Sequence, residues 1–387
     1  FKEVNDTHGH AAGDSLLQAI GVRLSYLLSS GTTIARLGGD EFAVLFPTGD
    51  PLEAQSEAAA ILNAFRKPFT LGPLVLDLGA SLGIALAPNH GADAEELLAS
   101  ADFALYRAKA ASGGCYRMFD HSMRSEAQAR RATRDELRRA LRHGELLMRY
   151  QPQVNLPSKE ITGFEALIRW RHPERGLLSP SAFLPALEQS ALALEIGWWT
   201  LEEACRTASR LNSAGGSLKV SVNLFPTQFR ALNLCDRVQN SMDEYGIKPE
   251  WLELEVTEQV ALLDDEKAFR TLTALREIGV GVAFDDFGTG YASLSSLQRF
   301  PITTLKIDRG FVEELGSSAS DAAITRALIG MSKDMGLNTI AEGIETEVQE
   351  NVLLGMGCPS GQGYRYGRPM DEDDIYGLVE SHVAQTA

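Results

Sequence analysis

Cysteine is scarce. The four residues, Cys115, Cys205, Cys235 and Cys358, are scattered and form no Cys-x-x-Cys pair. That argues against a zinc ribbon or a disulfide framework and fits a reducing cytoplasm. Basic residues are in deficit: 36 Lys and Arg face 52 Asp and Glu, for a formal net charge of -16. Neither nucleic acid nor an anionic membrane surface is expected as a partner. An anionic substrate would need its charge countered locally, by metal ions or by a few placed Lys and Arg. No apolar run reaches the length of a membrane span. An initiator Met is missing too. The chain opens on Phe1, inside a plausible element, so it reads as a fragment, and a sensor or membrane segment upstream would lie outside it. What is present is an ordinary globular composition, 44% apolar and 23% charged over 387 residues, which suits two domains.

Phe1 to Ala12 is polar, with Asn5-Asp6 and Gly9-His10 as turn-like pairs. Residues 13–28 carry a helical pattern with Leu16, Leu17, Ile20, Leu24 and Leu27 on one side. Thr33 to Phe46 reads as a hairpin whose apolar flanks surround Gly38-Gly39-Asp40-Glu41. The two glycines permit a tight turn and leave room for a ligand's phosphates to approach the backbone. Asp40 and Glu41 beside them could hold Mg²⁺, which takes one or two carboxylates plus substrate phosphates. On those four residues alone, an ordinary turn with solvated acids is the alternative. Residues 52–66 and 94–111 read as helices, and Leu74 to Ala87 supplies strand material ending at Pro88.

Three ordered motifs carry a resemblance: Phe1-Lys2-x-x-Asn5-Asp6-x-x-Gly9-His10-x-x-Gly13-Asp14, Arg36-Leu37-Gly38-Gly39-Asp40-Glu41-Phe42, and Ala101-Asp102-x-Ala104-Leu105-Tyr106-x-Ala108-Lys109. Residues 1–120 resemble the GGDEF family of diguanylate cyclases. The resemblance implies a palm-like α/β domain, truncated at its start, with GTP and Mg²⁺ over the hairpin turn. Asn5 and Asp14 would read guanine, Gly38 and Gly39 admit the phosphates, Asp40 binds metal with Glu41 beside it in the nucleotide site, and Lys109 meets the triphosphate. The family's further metal-binding Asp lies ahead of Phe1. The Gly-Arg-Asn that often follows Ala-Lys is here Ser112-Gly113-Gly114, and Ser29-Ser30-Gly31-Thr32 replaces the inhibitory Arg-x-x-Asp. These departures favour GTP as a regulatory input over cyclase activity.

Asp120 to His143 is rich in Arg, Glu and Ala, with Glu126–Arg130 and Asp135–Arg139 at helical spacing and Met123, Leu137 and Leu141 as anchors. It reads as a linker helix over 121–144 that Gly144 ends. From 145 to 380, short apolar runs alternate with longer helical patterns, which predicts βα units around a mainly parallel sheet, of a length that suits a barrel. Polar groups recur toward the ends of the runs: Glu165, Asn223, Glu255, Asp285 with Asp286, Lys306, Glu342 and Gln362. Alone, Asp285-Asp286 would read as a turn cap. In a (β/α)₈ barrel, however, groups at the strand ends converge on one mouth. So many acids around one Lys need cations, and oxygen-only donors point to Mg²⁺ or Mn²⁺. A pair of such ions suits phosphodiester hydrolysis.

The same residues, set in Tyr150-Gln151-Pro152, Glu165-Ala166-Leu167-Ile168-Arg169-Trp170, Ser221-Val222-Asn223, Glu255-Val256-Thr257-Glu258, Asp285-Asp286-Phe287-Gly288-Thr289-Gly290, Leu305-Lys306-Ile307-Asp308, Ala341-Glu342-Gly343 and Gln362-Gly363-Tyr364, resemble the EAL family of cyclic-di-GMP phosphodiesterases. The resemblance implies a TIM-like barrel that hydrolyses cyclic-di-GMP to linear pGpG with two Mg²⁺ or Mn²⁺ ions. Glu165, Asn223, Glu255, Asp285, Asp286 and Glu342 would form the metal site, Asp286 bridging both ions. Lys306 would polarise the nucleophilic water and Gln362 would hold that arrangement. Gln151, Leu167 and Arg169 would position substrate. Glu258 would brace the loop that begins Phe287-Gly288-Thr289-Gly290 and couples the site to a homodimer partner. Phe225-Pro226 after Asn223-Leu224 departs from the usual Ser-Ala and is expected to alter loop packing only. The complete acid set favours an active phosphodiesterase over a non-catalytic cyclic-di-GMP receptor, while the missing Arg and the truncated start weigh against the other alternative, a bifunctional cyclase and phosphodiesterase in the intact parent.

Overall fold

A computed structural model of the chain describes residues 1–29, 31–111, 113–188, 190–213, 215–257, 265–287, 294–316 and 318–386. The described residues form two compact units, Phe1–Ala132 and Thr133–Ala387.

In the first unit, helices Lys2–His8 and His10–Leu27 meet at Gly9, whose φ of 81° only glycine adopts readily. The expected turn at Asn5-Asp6 is therefore helix. No Pro or Gly interrupts residues 2–8, so only Gly9 breaks the run. Gly13, Leu16, Leu17, Ile20 and Leu24 form the buried stripe of the second helix, at helical spacing, while Leu27, expected in that stripe, is exposed at the helix's last residue. Val4, Leu16, Ile20, Leu24 and Leu28 pack with Ile61 and Phe69. Three two-stranded ladders complete the unit. β1 (Thr33–Gly38) pairs antiparallel with β2 (Glu41–Leu45), β3 (Phe69–Leu71) with β4 (Leu74–Leu76), and β5 (Leu82–Ile84) pairs parallel with β6 (Tyr116–Met118). Helices Pro51–Phe65 and Ala94–Ala110 carry side-chain N-caps from Asp50 and Asp93.

Helix His121–His143 follows. Glu126 pairs with Arg107 and, at 3.9 Å, with Arg130. Asp135 meets Arg138 at 3.3 Å, where Arg139 was expected: i,i+3 and i,i+4 partners are equally near on a helix, and here the former is taken. Leu137 is fully buried.

The second unit is a closed eight-stranded barrel. β7 (Leu146–Asn155) and β8 (Ile161–His172) form a hairpin, and the short β9 (Gly176–Leu178) pairs with the end of β8. β10 (Lys219–Asn223), β11 (Leu252–Thr257), β12 (Gly281–Phe287), β13 (Thr304–Ile307), β14 (Asn338–Ala341) and β15 (Ser360–Gln362) then run parallel, and β15 closes antiparallel on β7. β8–β10 pairing joins the hairpin to the parallel strands. β7 runs against its neighbours because a five-residue link permits only an antiparallel return, whereas parallel neighbours need a crossover. Leu192–Asn212, Leu234–Tyr245, Asp265–Ile278, Ala319–Asp334 and Glu347–Gly355 are among the crossover helices.

The core follows from alternation. Val220, Val222, Leu252, Leu254, Val256, Val282, Phe284, Leu305 and Ile307 are buried in one hydrophobic cluster with the helices. Most of the residues between them, Ser221, Glu253, Glu255 and Lys306, are polar and line the lumen. Lys219 and Thr304 both reach Glu253 Oε1, at 2.8 and 2.7 Å, in the lower layer of the lumen. The acids at the strand ends form the layer above. Among the described residues no helix is long and apolar enough to cross a membrane.

Candidate active site

The upper layer is centred on Lys306 of β13, which is fully buried. Its Nζ lies 2.6 Å from Glu255 Oε2, 2.8 Å from Glu342 Oε1, 3.0 Å from Asp285 Oδ1 and 3.6 Å from Glu165 Oε2. Each acid comes from a different strand: β8, β11, β12 and the residue after β14. Asn223, at the end of β10, donates from Nδ2 to Glu165 Oε1 and Glu255 Oε2 at 3.1 and 3.3 Å. Its amide thus presents nitrogen to the acids, a donor matched to carboxylate oxygens.

An amide chain orders the opposite wall. Gln153 Nε2 donates to Gln362 Oε1 at 3.1 Å and to Ser221 Oγ at 3.3 Å. With its oxygen so occupied, Gln362 turns Nε2 to Glu165 Oε2, 2.5 Å away, and to Gln151 Oε1, 3.2 Å away. Gln151 Nε2 in turn donates to the Gly367 carbonyl at 3.1 Å. Leu167 and Arg169 stand farther along β8, half-buried, and Arg169 is about 13 Å past Glu165 at ordinary strand rise. Phe287 is buried at the end of β12, and Glu258 and Gly288–Gly290 lie outside the described residues.

Asp285 and Asp286 are neighbours in one strand, where side chains normally alternate between faces. The β12–β13 ladder slips here: Phe284 pairs with Leu305 and Phe287 with Ile307, so β12 carries one residue more than its partner. Asp286 adopts φ 51°, in the left-handed region that Asp tolerates better than most residues. This bulge turns the pair toward one place. Asp285, Asp286 and Glu342 each offer an oxygen within 4.8 Å of the others.

The electrostatics match the crowding. Burial alone would lower the Lys306 ammonium's pKa, but Asp285, Glu165, Glu255 and Glu342 hold it well above its ordinary value. Burial, with Glu165 and Asp285 nearby, raises Glu255 against the pull of Lys306, and Glu342 rises for the same reasons. Burial, Asp285 and Asp308 push Asp286 up to about 6, even though its side chain is partly exposed. Ionised, the five carboxylates Glu165, Glu255, Asp285, Asp286 and Glu342 against one ammonium leave four negative charges, which two divalent ions would balance. Glu255 Oε1 is buried without a hydrogen-bond partner. An all-oxygen donor set with an unsatisfied buried oxygen fits hard divalent cations.

Gln153, Ser221 and Asp308 were not anticipated. Gln153 and Asp308 stand two residues past Gln151 and Lys306, so strand period was the available signal. Asp308 also caps the next helix through the Gly310 N–H at 2.9 Å. The nucleotide residues expected in the first unit are spread over its elements. Asn5 and Asp14 lie on the first two helices, Lys109 on helix Ala94–Ala110, and Gly39-Asp40 form the turn between Gly38 and Glu41. Asn5 Oδ1 is buried against Gly13 with no hydrogen-bond partner.

Residues 134–369 match the EAL domain, and residues 1–115 match "Diguanylate cyclase, GGDEF domain". The chain is 41% identical over 98% of its length to the bifunctional diguanylate cyclase/cyclic di-GMP phosphodiesterase MucR of Pseudomonas aeruginosa, covering 56% of that protein. It is 36% identical over 96% of its length to the cyclic di-GMP phosphodiesterase NbdA of the same organism, covering 47% of it. The chain thus spans about half the length of the curated relatives it matches. The solved PaMucR phosphodiesterase, in complex with c-di-GMP, superposes with a TM-score of 0.61 at 42% identity, over 63% of this chain and 99% of that one. The chain belongs to the EAL domain family, with a GGDEF domain ahead of the barrel in tandem.

Proposed function

We propose that this chain hydrolyses cyclic-di-GMP to linear pGpG at the barrel mouth. The observation that carries the reading is the ring of carboxylates around buried Lys306, with no member of the expected acid set replaced. Glu165, Asn223, Glu255, Asp285, Asp286 and Glu342 would hold two Mg²⁺ or Mn²⁺ ions, Asn223 after turning its amide oxygen inward. Bound there, such ions polarise a phosphoryl oxygen and lower the pKa of water.

The chain's own residues supply the rest. The Lys306 ammonium stabilises hydroxide as it forms beside the phosphorus. Gln362, its amide fixed by Gln153, orients Glu165 and the attacking water. Arg169 binds phosphate oxygens through charge-assisted hydrogen bonds, with Gln151 and Leu167 lining the same wall. The helix over 121–144 joins domains 1–120 and 145–380, and the protein works as a homodimer in the cytoplasm. GTP binding to the first domain would regulate the barrel, with Asn5 and Asp14 as the guanine-reading residues.

The test is incubation of the purified chain with cyclic-di-GMP, and separately with GTP, in Mn²⁺ or Mg²⁺, with products followed by chromatography. pGpG is expected from the first mixture, and both Asp286→Asn and Glu165→Ala abolish it. A folded, metal-loaded sample that leaves cyclic-di-GMP intact would overturn the reading.

A further inference from the structure

The segment after β15 is held at nearly every point except one ring. Arg365 N donates to Ile344 O at 3.1 Å, Tyr366 N and Gly367 N both reach Gly363 O, and Gly367 O accepts from Gln151. Glu350 takes Tyr366 Oη at 2.6 Å and Arg365 Nε at 3.0 Å. Tyr364 stands out of this tightly held turn with 49% of its surface exposed. It is not bare: the Arg368 guanidinium lies over one face, its carbon 4.2 Å from the ring centroid. The turn is tied to β7, where Tyr150 exchanges both backbone hydrogen bonds with Met370 and Gln151 donates to the Gly367 carbonyl, and β7 pairs with β8, the strand that carries Arg169, the proposed phosphate ligand.

We propose that Tyr364 is a base-stacking shelf at the rim of the barrel, and that Arg368 is the positioning residue that fixes it to receive a purine of the dinucleotide. The inference rests on the cyclic-di-GMP reading above. A cation on one face leaves the other for an aromatic partner and draws electron density from the ring, which favours stacking on an electron-rich purine. The shelf sits two residues past Gln362, whose amide faces the acid cluster, in the turn whose Gly367 carbonyl holds Gln151. A phosphate held at the cluster therefore brings its base within reach of the ring. Stacking adds affinity without touching the reacting atoms, so its signature is in binding and KM, not kcat. Base–aromatic stacking predicts a loss of about tenfold on removing the ring.

The experiment measures Kd by calorimetry with Ca²⁺, whose weaker polarising power slows turnover, and KM and kcat with Mn²⁺. The full chain is used, with Tyr364→Phe, Tyr364→Leu, Arg368→Leu and the double variant Tyr364→Leu/Arg368→Leu. Tyr364→Phe should stay within about twofold of wild type. Tyr364→Leu should weaken Kd and raise KM about tenfold at unchanged kcat, and Arg368→Leu should give about three- to fivefold. The double variant should match Tyr364→Leu, because Arg368 acts through the ring. Unchanged binding in Tyr364→Leu, additive losses in the double variant, or a fall in kcat alone would each overturn the shelf. The same ladder in Kd from a protein that releases no pGpG would uphold the shelf and sink the hydrolysis. A folded wild type that binds no cyclic-di-GMP would refute the shelf directly.

Discussion

Lys306→Met puts the charge argument to its hardest test. The substitution keeps an unbranched chain of similar length and deletes the ammonium that four acids approach within 2.6 to 3.6 Å. Breaking a buried ion cluster by removing one partner destabilises by about 3–5 kcal/mol, because the remaining charges stay desolvated. The barrel unit runs from Thr133 to Ala387. For a unit of that size 1 kcal/mol moves Tm by about 2–4 °C, so a drop of roughly 6–20 °C is expected in EDTA. The lower end applies near pH 6, where the carboxyls held above their ordinary pKa can take up protons in place of the lost charge.

Divalent ions should then do for the variant what the ammonium did for the wild type. Thermal melting in EDTA and in saturating Mn²⁺ measures this, since a ligand of the native state raises Tm by mass action. The gain on adding Mn²⁺ should be larger for Lys306→Met than for wild type, while pGpG release is lost. A variant that melts within about 2 °C of wild type in EDTA, or that gains no more than wild type from Mn²⁺, would refute the claim that Lys306 balances the acids in the metal-free barrel.

Three further outcomes follow from particular contacts. Asp286→Asn should not lower the melting temperature, because Asn also tolerates positive φ and sheds the repulsion from Asp285 and Asp308, whereas Asp286→Val should lower stability by about 1–2 kcal/mol in a urea titration. Glu350 is buried, which opposes its charge, but hydrogen bonds from Lys159, Tyr366 and Arg365 hold its carboxyl at about 2. Because the folded value lies below the unfolded 4.5, its stabilisation, at most about 3 kcal/mol, is present above pH 4.5 and lost as pH falls toward 2. The urea-midpoint difference between wild type and Glu350→Gln should therefore shrink from pH 6 to pH 3, and a constant difference would count against the network. Gly363→Ala would place a Cβ 2.1 Å from the Ile344 carbonyl oxygen, so backbone must shift. A loss of about 1–3 kcal/mol with a fall in turnover through displaced Gln362 is expected, read by melting and product assays.

Most of the barrel was legible because alternation and strand ends are local facts. Glu165, Asn223, Glu255 and Gln362 each terminate or interrupt an apolar run, and closing the sheet brings them to one mouth. Gln153 was legible in principle, since period 2 puts it on the same face as Gln151, but it ends no run and names no chemistry. Asn5-Asp6 misled because both are turn formers, and helix packing through Val4 and Leu16 overrides that preference. Asp135 chose Arg138 over Arg139 by a rotamer, and spacing cannot rank the two.

Asp285-Asp286 is the instructive case. Period 2 places adjacent residues on opposite faces, so the strand rule read strictly would send one carboxylate outward among the helices. What reverses this is one extra residue in β12 and a left-handed Asp286, and both depend on where β13 lies. The site thus stores backbone strain and raised carboxyl pKa values at the same position, each unfavourable in the metal-free protein. A fold carries two such penalties at one residue only where surrounding contacts enforce them, and here the bulge is pinned by buried Phe284 and Phe287, which stay in register with Leu305 and Ile307 on either side of it. Divalent ions would relieve the electrostatic penalty, whereas the backbone penalty is met by the packing of the strand itself.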